Sequence, residues 1–407
     1  MSQFPKLAAR NVGRNRRRSL ITGMAIIVCV GMVVILKGFI DGVRNLMVAD
    51  VVEGRAGALQ VHKKGFVDNI EAVPTRMNVA YTPELVAKMK AVPGVKGVTG
   101  RMMFNGLIGN GLTQTMFVGR GLDMEHEEEA CPRSKATVKA GGQPLLPGDT
   151  THALVGFELG ESFNVALGKT VNVQSSSPTG RSNSMDLTVK GFSSSSFPFE
   201  NKRVITVPLS TAQELLGLQG RVTEYAIAVD DLSRLEDIRT QLQTALGPEF
   251  EVHTWQELNT FVRDLIARQD IIMAAIAFVL FVIALTVIGN TMLMSVFERV
   301  REIGTLLAVG VKRVQVLQLF VLEAALLGLM GGFVGAAVGQ LALNLIAAVG
   351  IPLDMPGTSS VALLRPHTPW SYTGLAVVVA VLGALIASAL PARRASRLNP
   401  VEALRNG

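Results

Sequence analysis

Apolar positions cluster in four long stretches of the chain. The segment Leu20 to Leu36 carries no charge, and with Lys37 snorkelling to an interface the run reaches Ile40. At 1.5 Å per residue that is about 31 Å, one hydrocarbon thickness. Ile271 to Met294 and Thr368 to Ala392 are uncharged, and Ala324 to Leu353 is longer than one perpendicular span requires. Trp370 and Tyr372 stand where an interfacial aromatic belt would lie. The pattern predicts four transmembrane helices.

Residues 42–270 are different. Strand-like alternation marks Lys169 to Gln174, Met185 to Val189 and Tyr225 to Val229, and helical spacing marks Thr82 to Ala91, Ser210 to Leu216 and Leu232 to Leu246. Pro93-Gly94, Pro147-Gly148 and Gly247-Pro248 punctuate these segments as turns. The expected architecture is a membrane protein with four transmembrane α-helices and a large extracytoplasmic α+β domain, two-lobed, inserted between helices 1 and 2. In order, the chain reads as a cytoplasmic amphipathic N-terminus (1–19), a first span (20–41), the domain (42–270), a second span (271–294) and a cytoplasmic connection (295–314). A third span (315–350), an outer loop (351–369), a fourth span (370–391) and a cytoplasmic tail (392–407) complete it.

Composition supports this: 49% of residues are hydrophobic and only 17% charged, with mean hydropathy +0.37. The net charge of +7 would suit nucleic acid or a membrane surface. Its distribution decides. Residues 1–19, 295–315 and 391–407 together hold +11, while the rest of the chain holds −4. Basic residues mark the cytoplasmic side. Both termini are therefore expected in the cytoplasm, the domain outside, and no nucleic acid partner. The first run exceeds the apolar core of a cleaved signal peptide and reads as a signal anchor. Cys29 and Cys131 fall in different compartments, so no disulfide joins them.

Candidate chemistry is sparse. Gly-x-x-x-x-Gly-Lys-Ser/Thr, Gly-x-Ser-x-Gly and His-Glu-x-x-His are all absent, so the chain reads as non-catalytic, with no metal or cofactor of its own. Glu125 to Glu129 reads as a solvated acidic loop rather than a metal site, and Ser193 to Ser196 as a flexible loop. The membrane segments say more. Gly331, Gly335 and Gly339 repeat every four residues, Gly328 and Gly332 form a second pair, and Gly383 precedes Ala387 by four. Such spacing lets helices approach closely. Glu323 lies within the third helix, about 15 Å from the basic residues at its start. A carboxylate there needs a polar partner or marks a moving element. The stretch Phe297 to Arg313 reads as a short amphipathic helix ended by Gly310, with Ile303, Leu306, Leu307 and Val311 near one face and Glu298, Arg301 and Glu302 on another. Spacing alone leaves open whether this helix is a surface anchor or a docking peg.

The stretch Glu298-Arg299, Arg301-Glu302-Ile303-Gly304, Leu307, Ala308 and Gly310 resembles the signature of FtsX-like permeases of the MacB-type (type VII) ABC transporter superfamily. Leu307 stands where that signature often has Arg or Lys. Phe320 to Ala324, the tail from Pro391 to Arg405 and the start from Ala8 to Ser19 are similar to other parts of the family, as is the order of one span, one large domain and three spans. Gly57 to His62 and Pro208 to Gln213 look most like the lipoprotein-releasing permeases LolC and LolE.

The resemblance implies a permease that works by mechanotransmission, with two permease chains, identical or paralogous, above two copies of a cytoplasmic ABC ATPase. ATP and Mg would belong to that ATPase, because MacB-type members place an ATPase domain ahead of the first span and this chain has none there. Glu298 to Gly310 would be the coupling helix, with Glu298 and Glu302 expected to be needed for coupling. The substrate would be a lipoprotein or other envelope amphiphile, handed to a periplasmic adaptor or carrier. Its cavity would lie between the first two helices, at Val33, Leu36, Ile40, Met273 and Ala277. The alternative is an FtsX-like signalling module that activates a periplasmic envelope enzyme.

Overall fold

The computed structural model describes residues 4–14, 16–72, 75–139, 141–195, 198–353 and 362–397. Ser196, most of the outer loop and the tail from residue 398, with Pro400, Glu402 and Arg405, lie outside them. The chain divides into two compact units, one of residues 1–44, 265–351 and 364–407, the other of residues 45–264 and 352–363.

The first unit is helical. An amphipathic helix α1 (Phe4–Arg14) precedes α2 (Arg16–Val51). Then come α3 (Thr260–Glu298), the short α4 (Val300–Ala308), α5 (Arg313–Val349) and α6 (Trp370–Ser396). Four of these, α2, α3, α5 and α6, are long and apolar enough to cross a membrane. Two outrun their apolar stretches. Helix α2 continues through Asp41, Arg44 and Asp50, and α3 starts eleven residues before Ile271, through Arg263, Asp264 and Arg268. Charge ends a membrane span but does not end a helix, whose residues there are ordinary helix formers.

Helix α5 is the packing centre. Along it, buried pairs alternate with half-buried or exposed pairs from Glu323 to Gln340. Gly331, Gly335 and Gly339 face α2: a Cβ on Gly335 would lie 2.7 Å from the Ile27 carbonyl oxygen, and one on Gly339 would lie 3.0 Å from that of Gly31. Gly328 and Gly332 face α6, against Ala384 and Val377. The two glycine ridges thus serve two neighbours. Gly383 of α6 accommodates the ring of Phe281 from α3. Two buried hydroxyls bond between elements: Thr373 donates to Gln340, and Thr368 donates to the Val34 carbonyl at 3.1 Å, whereas the buried Ser295 Oγ has no partner among the described residues.

The second unit is built on one nine-stranded sheet. Its strands are β1 (Leu59–Lys63), β2 (Val95–Gly109), β3 (Gln114–Leu122), β4 (His152–Gly156), β5 (Thr170–Ser176), β6 (Ser182–Ser193), β7 (Val204–Pro208), β8 (Glu224–Val229) and β9 (Phe250–Thr254). Their order is β9-β1-β8-β2-β3-β7-β4-β6-β5. Strand β5 also returns to the far end of β2, pairing Ile108 with Val173. One sheet therefore runs through the domain where two lobes were expected. The helices Pro83–Lys90, Leu209–Leu216 and Leu235–Leu246 match the helical segments read from spacing.

Two loop expectations are corrected. Glu127 is buried and bonded to Arg101, so Glu125 to Glu129 is not wholly solvated, although Glu128 and Glu129 do remain exposed. Ser194 and Ser195 are buried, and Ser195 Oγ accepts a hydrogen bond from Arg55 at 2.5 Å, so this is a packed segment rather than a flexible one.

Candidate functional site

At the basic-flanked end of the helical unit, the chain turns sharply between α3 and α4. Arg299 sits at the turn with φ −115° and cannot continue the helix. Glu298 therefore ends α3 rather than sharing a face of α4 with Arg301 and Glu302. Gly310, at φ +97°, turns the chain out of α4, a conformation that suits glycine. Helix α4 buries Ile303 and Gly304 and exposes Arg301, Glu302, Thr305, Leu306 and Ala308, with Leu307 half-buried. Val309 follows at 87% exposure.

The side chains at this turn are tied together by charge. Glu323 of α5 is only 1% exposed. Its two oxygens face two guanidiniums: Arg299 Nη1 donates to Oε2 at 3.4 Å, and Arg18 Nη2 of α2 lies 3.6 Å from Oε1. Arg18 also donates to Glu298 at 2.9 Å. Arg299 donates to Glu302 at 3.0 Å, and its guanidinium lies 5.8 Å from the Phe320 ring centre. Arg14 of α1 grips both oxygens of Glu302, at 2.6 and 2.7 Å. The Arg14 hydrogen bond holds the Glu302 carboxyl below its ordinary range, and Arg299 adds to this. One buried carboxylate thus fastens the start of α2, the α3–α4 turn and α5 to one another, and α1 clamps α4 from outside.

The predicted coupling residues accordingly separate by position. Arg299, Ile303 and Gly304 face inward and hold the helix in place. Glu298 and Glu302 are exposed but engaged by Arg18 and Arg14. Arg301 and Ala308 are free to meet a partner, beside Leu306 and Val309. Sequence reasoning missed Arg14 and Arg18, whose basic run reads equally well as a topology signal. Glu323, grouped with the helix-packing residues and expected from sequence to need a polar partner, finds two in Arg299 and Arg18.

Higher in the helical unit, an apolar cavity of about 150 Å3 lies among α2, α3 and α6. Val33 and Ala277 line it, with Cys29, Phe281 and Tyr372. Leu36, Ile40 and Met273 are not in its wall, and Met273 is buried elsewhere in the packing. Of the five residues expected to line a substrate cavity, Val33 and Ala277 line this void.

The sheet domain holds a second concentration of charge that no sequence spacing revealed, because its members come from strands, short helices and a turn distant along the chain. Arg101 of β2, 1% exposed, donates to Glu127 at 2.5 and 3.2 Å and to the Arg55 carbonyl. Burial alone would favour the neutral guanidine, but the Glu127 carboxylate outweighs it and raises the Arg101 pKa. Arg55, in a π-helical turn (Val52–Ala56), pairs with Asp50 and with Glu200 at 2.9 Å. Burial opposes charge on Glu200 and Glu224. Arg120 and Arg55 nevertheless hold Glu200 below the usual carboxylate range, and His62 and Arg101 do so for Glu224. No cluster of three or more metal-ligating side chains occurs among the described residues.

Known proteins place this arrangement. Residues 274–400 match the profile described as "FtsX-like permease C-terminal", and residues 19–245 match "MacB-like periplasmic core domain", more than half of the chain. The macrolide export ATP-binding/permease protein MacB of Wolinella succinogenes is 27% identical over 98% of this chain and 60% of its own length. An uncharacterised ABC transporter permease of Methanocaldococcus jannaschii is 28% identical over 49% of this chain and 50% of its own. The chain thus spans 50–60% of these relatives.

Two solved structures are also similar. The extracellular domain of the noncanonic ABC-type transporter YknZ from Gram-positive bacteria covers 48% of this chain and 99% of its own, at 13% identity and TM-score 0.35. The periplasmic region of MacB from Actinobacillus actinomycetemcomitans covers 52% and 95%, at 12% identity and TM-score 0.37. At those scores neither bears on the assignment. The named relatives lend no support to the finer likeness to LolC and LolE. On the two profile matches, the chain belongs to the FtsX-like, MacB-type family of ABC transporter permeases.

Proposed function

We propose that this permease works by mechanotransmission, coupling ATP hydrolysis by a separate cytoplasmic ABC ATPase, present in two copies, to extraction or export of a lipoprotein or other envelope amphiphile. The observation that carries the reading is α4. It is fixed rigidly on its inner side by Glu323 and Arg299, yet it presents Arg301, Leu306, Ala308 and Val309 outward. A helix that is held firmly and exposes an apolar edge is suited to receive force from a docked subunit and pass it to α2, α3 and α5. The positive-inside bias supports a cytoplasmic position for α4, where ATP is. A second permease chain, identical or paralogous, completes the assembly. The chain itself binds no nucleotide in this reading.

The test is co-purification of the full chain with its cognate ATPase from native membranes, with ATPase activity measured in nanodiscs. Leu306→Asp with Val309→Asp should abolish both association and permease-dependent hydrolysis without changing the melting temperature, since both residues are exposed. Retained association in that double variant would refute docking on α4.

A further inference from the structure

The sheet domain contains a cavity of about 570 Å3, within the range of ligand pockets. Val51, Leu258 and Phe261, all within the second unit, are part of its lining. Its lining has two characters. Phe199, at 57% exposure, joins Phe261, Val51 and Leu258 as apolar wall. Elsewhere three guanidiniums, from Arg55, Arg101 and Arg120, meet two carboxylates, from Glu200 and Glu224.

The guanidiniums are not equivalent. Arg55 and Arg101 direct their donors to protein groups: Ser195, Glu200 and Asp50 for one, Glu127 and a carbonyl for the other. Arg120 makes one ion pair among the described residues, from Nη2 to Glu200 at 3.3 Å. That is long for a charge-assisted bond, and a guanidinium carries five N–H donors. Most of the hydrogen-bonding capacity of Arg120 is thus left for solvent or a ligand. The two carboxylates are already faced by Arg55, Arg120, Arg101 and His62, so a cation would find them neutralised. A small inorganic anion would leave the aromatic wall unused.

We propose that this cavity binds an anionic amphiphile, its acidic head held by Arg120 and its apolar body lying on Phe199 and Phe261. The proposal goes beyond transport: a carried substrate and a resident lipid would use the same contacts, and its test does not read transport.

The full chain is placed in nanodiscs of phosphatidylcholine and labelled with a diazirine-bearing stearic acid or the matching stearyl alcohol, and cross-links are located by mass spectrometry. The acid should label residues 51–60, 199–200 or 258–261 about tenfold more than the alcohol, the scale of one charge-assisted hydrogen bond. Arg120→Gln should erase that preference, and Arg120→Lys should retain part of it. Met103→Trp, which fills the cavity without touching its charges, should reduce labelling by both probes. Equal labelling by acid and alcohol in the native chain would overturn the proposal. So would a preference that survives Arg120→Gln, labelling indifferent to Met103→Trp, or complete displacement of the acid by millimolar inorganic phosphate, which would make the site one for a free anion.

Discussion

Gly335→Ala measures how tightly α5 is seated on α2. The added Cβ would lie 2.7 Å from the Ile27 carbonyl oxygen and 3.0 Å from both Ile27 Cα and Val30 Cβ. Two of those atoms are backbone and cannot rotate aside, so the helices must part by several tenths of an ångström. Overpacking of this kind costs about 1–3 kcal/mol, while replacing a mid-helix glycine by alanine returns about 0.5–1 kcal/mol, leaving a net loss near 1 kcal/mol. Gly374 is the control, because a Cβ there meets nothing within 4 Å. Gly374→Ala should be neutral or gain up to about 1 kcal/mol. The assay is SDS titration of the full chain in mixed micelles, followed by circular dichroism. Gly31→Ala should cost less than Gly335→Ala, since its Cβ would approach the Gly335 oxygen only to 3.3 Å. If Gly335→Ala proves as stable as Gly374→Ala, the close packing of α2 on α5 is not what the geometry says it is.

Three further outcomes follow from the charges. Glu323→Gln should destabilise the helical unit by about 3 kcal/mol in the same titration, because it leaves two guanidiniums without their shared buried anion. Adding Arg18→Gln should cost less than the sum of the two single changes, since they remove one network. The Arg14–Glu302 contact should depend on pH, as read by the distance between spin labels on α1 and α4. A carboxyl whose folded pKa is lowered contributes fully above its unfolded value, near 4.5, and loses that contribution as pH falls through the lowered value. The distance should therefore hold at neutral pH and broaden only as pH falls below the ordinary carboxylate range, and Glu302→Gln should remove the dependence. Arg101→Met should destabilise the domain by about 3–5 kcal/mol, through the Glu127 carboxylate left buried without its cation, and Glu127→Gln in the same chain should restore part of that in thermal melts.

Much of the helical unit is legible in the sequence because the bilayer imposes long uncharged runs. Even the glycine contacts are marked there, since only close approach accounts for Gly331, Gly335 and Gly339 at fourfold spacing. What is not legible is the partner of each ridge, which depends on how α2 and α6 are arranged around α5. The same is true of the site. Glu323 stands out on one line of sequence because a carboxylate in an apolar helix needs an explanation. Arg18 does not, because an arginine beside a span already has one. In the sheet domain, Arg101, Glu127 and Glu224 lie on β2, a later short helix and β8, and nothing local to any of them signals that they meet. Ser195 misleads for the complementary reason: four serines in a row look like solvent-facing linker until a guanidinium is found against one of them.

The uneven burial of the long helices has a mechanical consequence. Helix α5 has both its glycine faces occupied, whereas the most apolar part of α3 is largely uncovered and borders a void of about 150 Å3. In engineering terms α2, α5 and α6 form a braced frame and α3 a lightly held strut, with empty space alongside it.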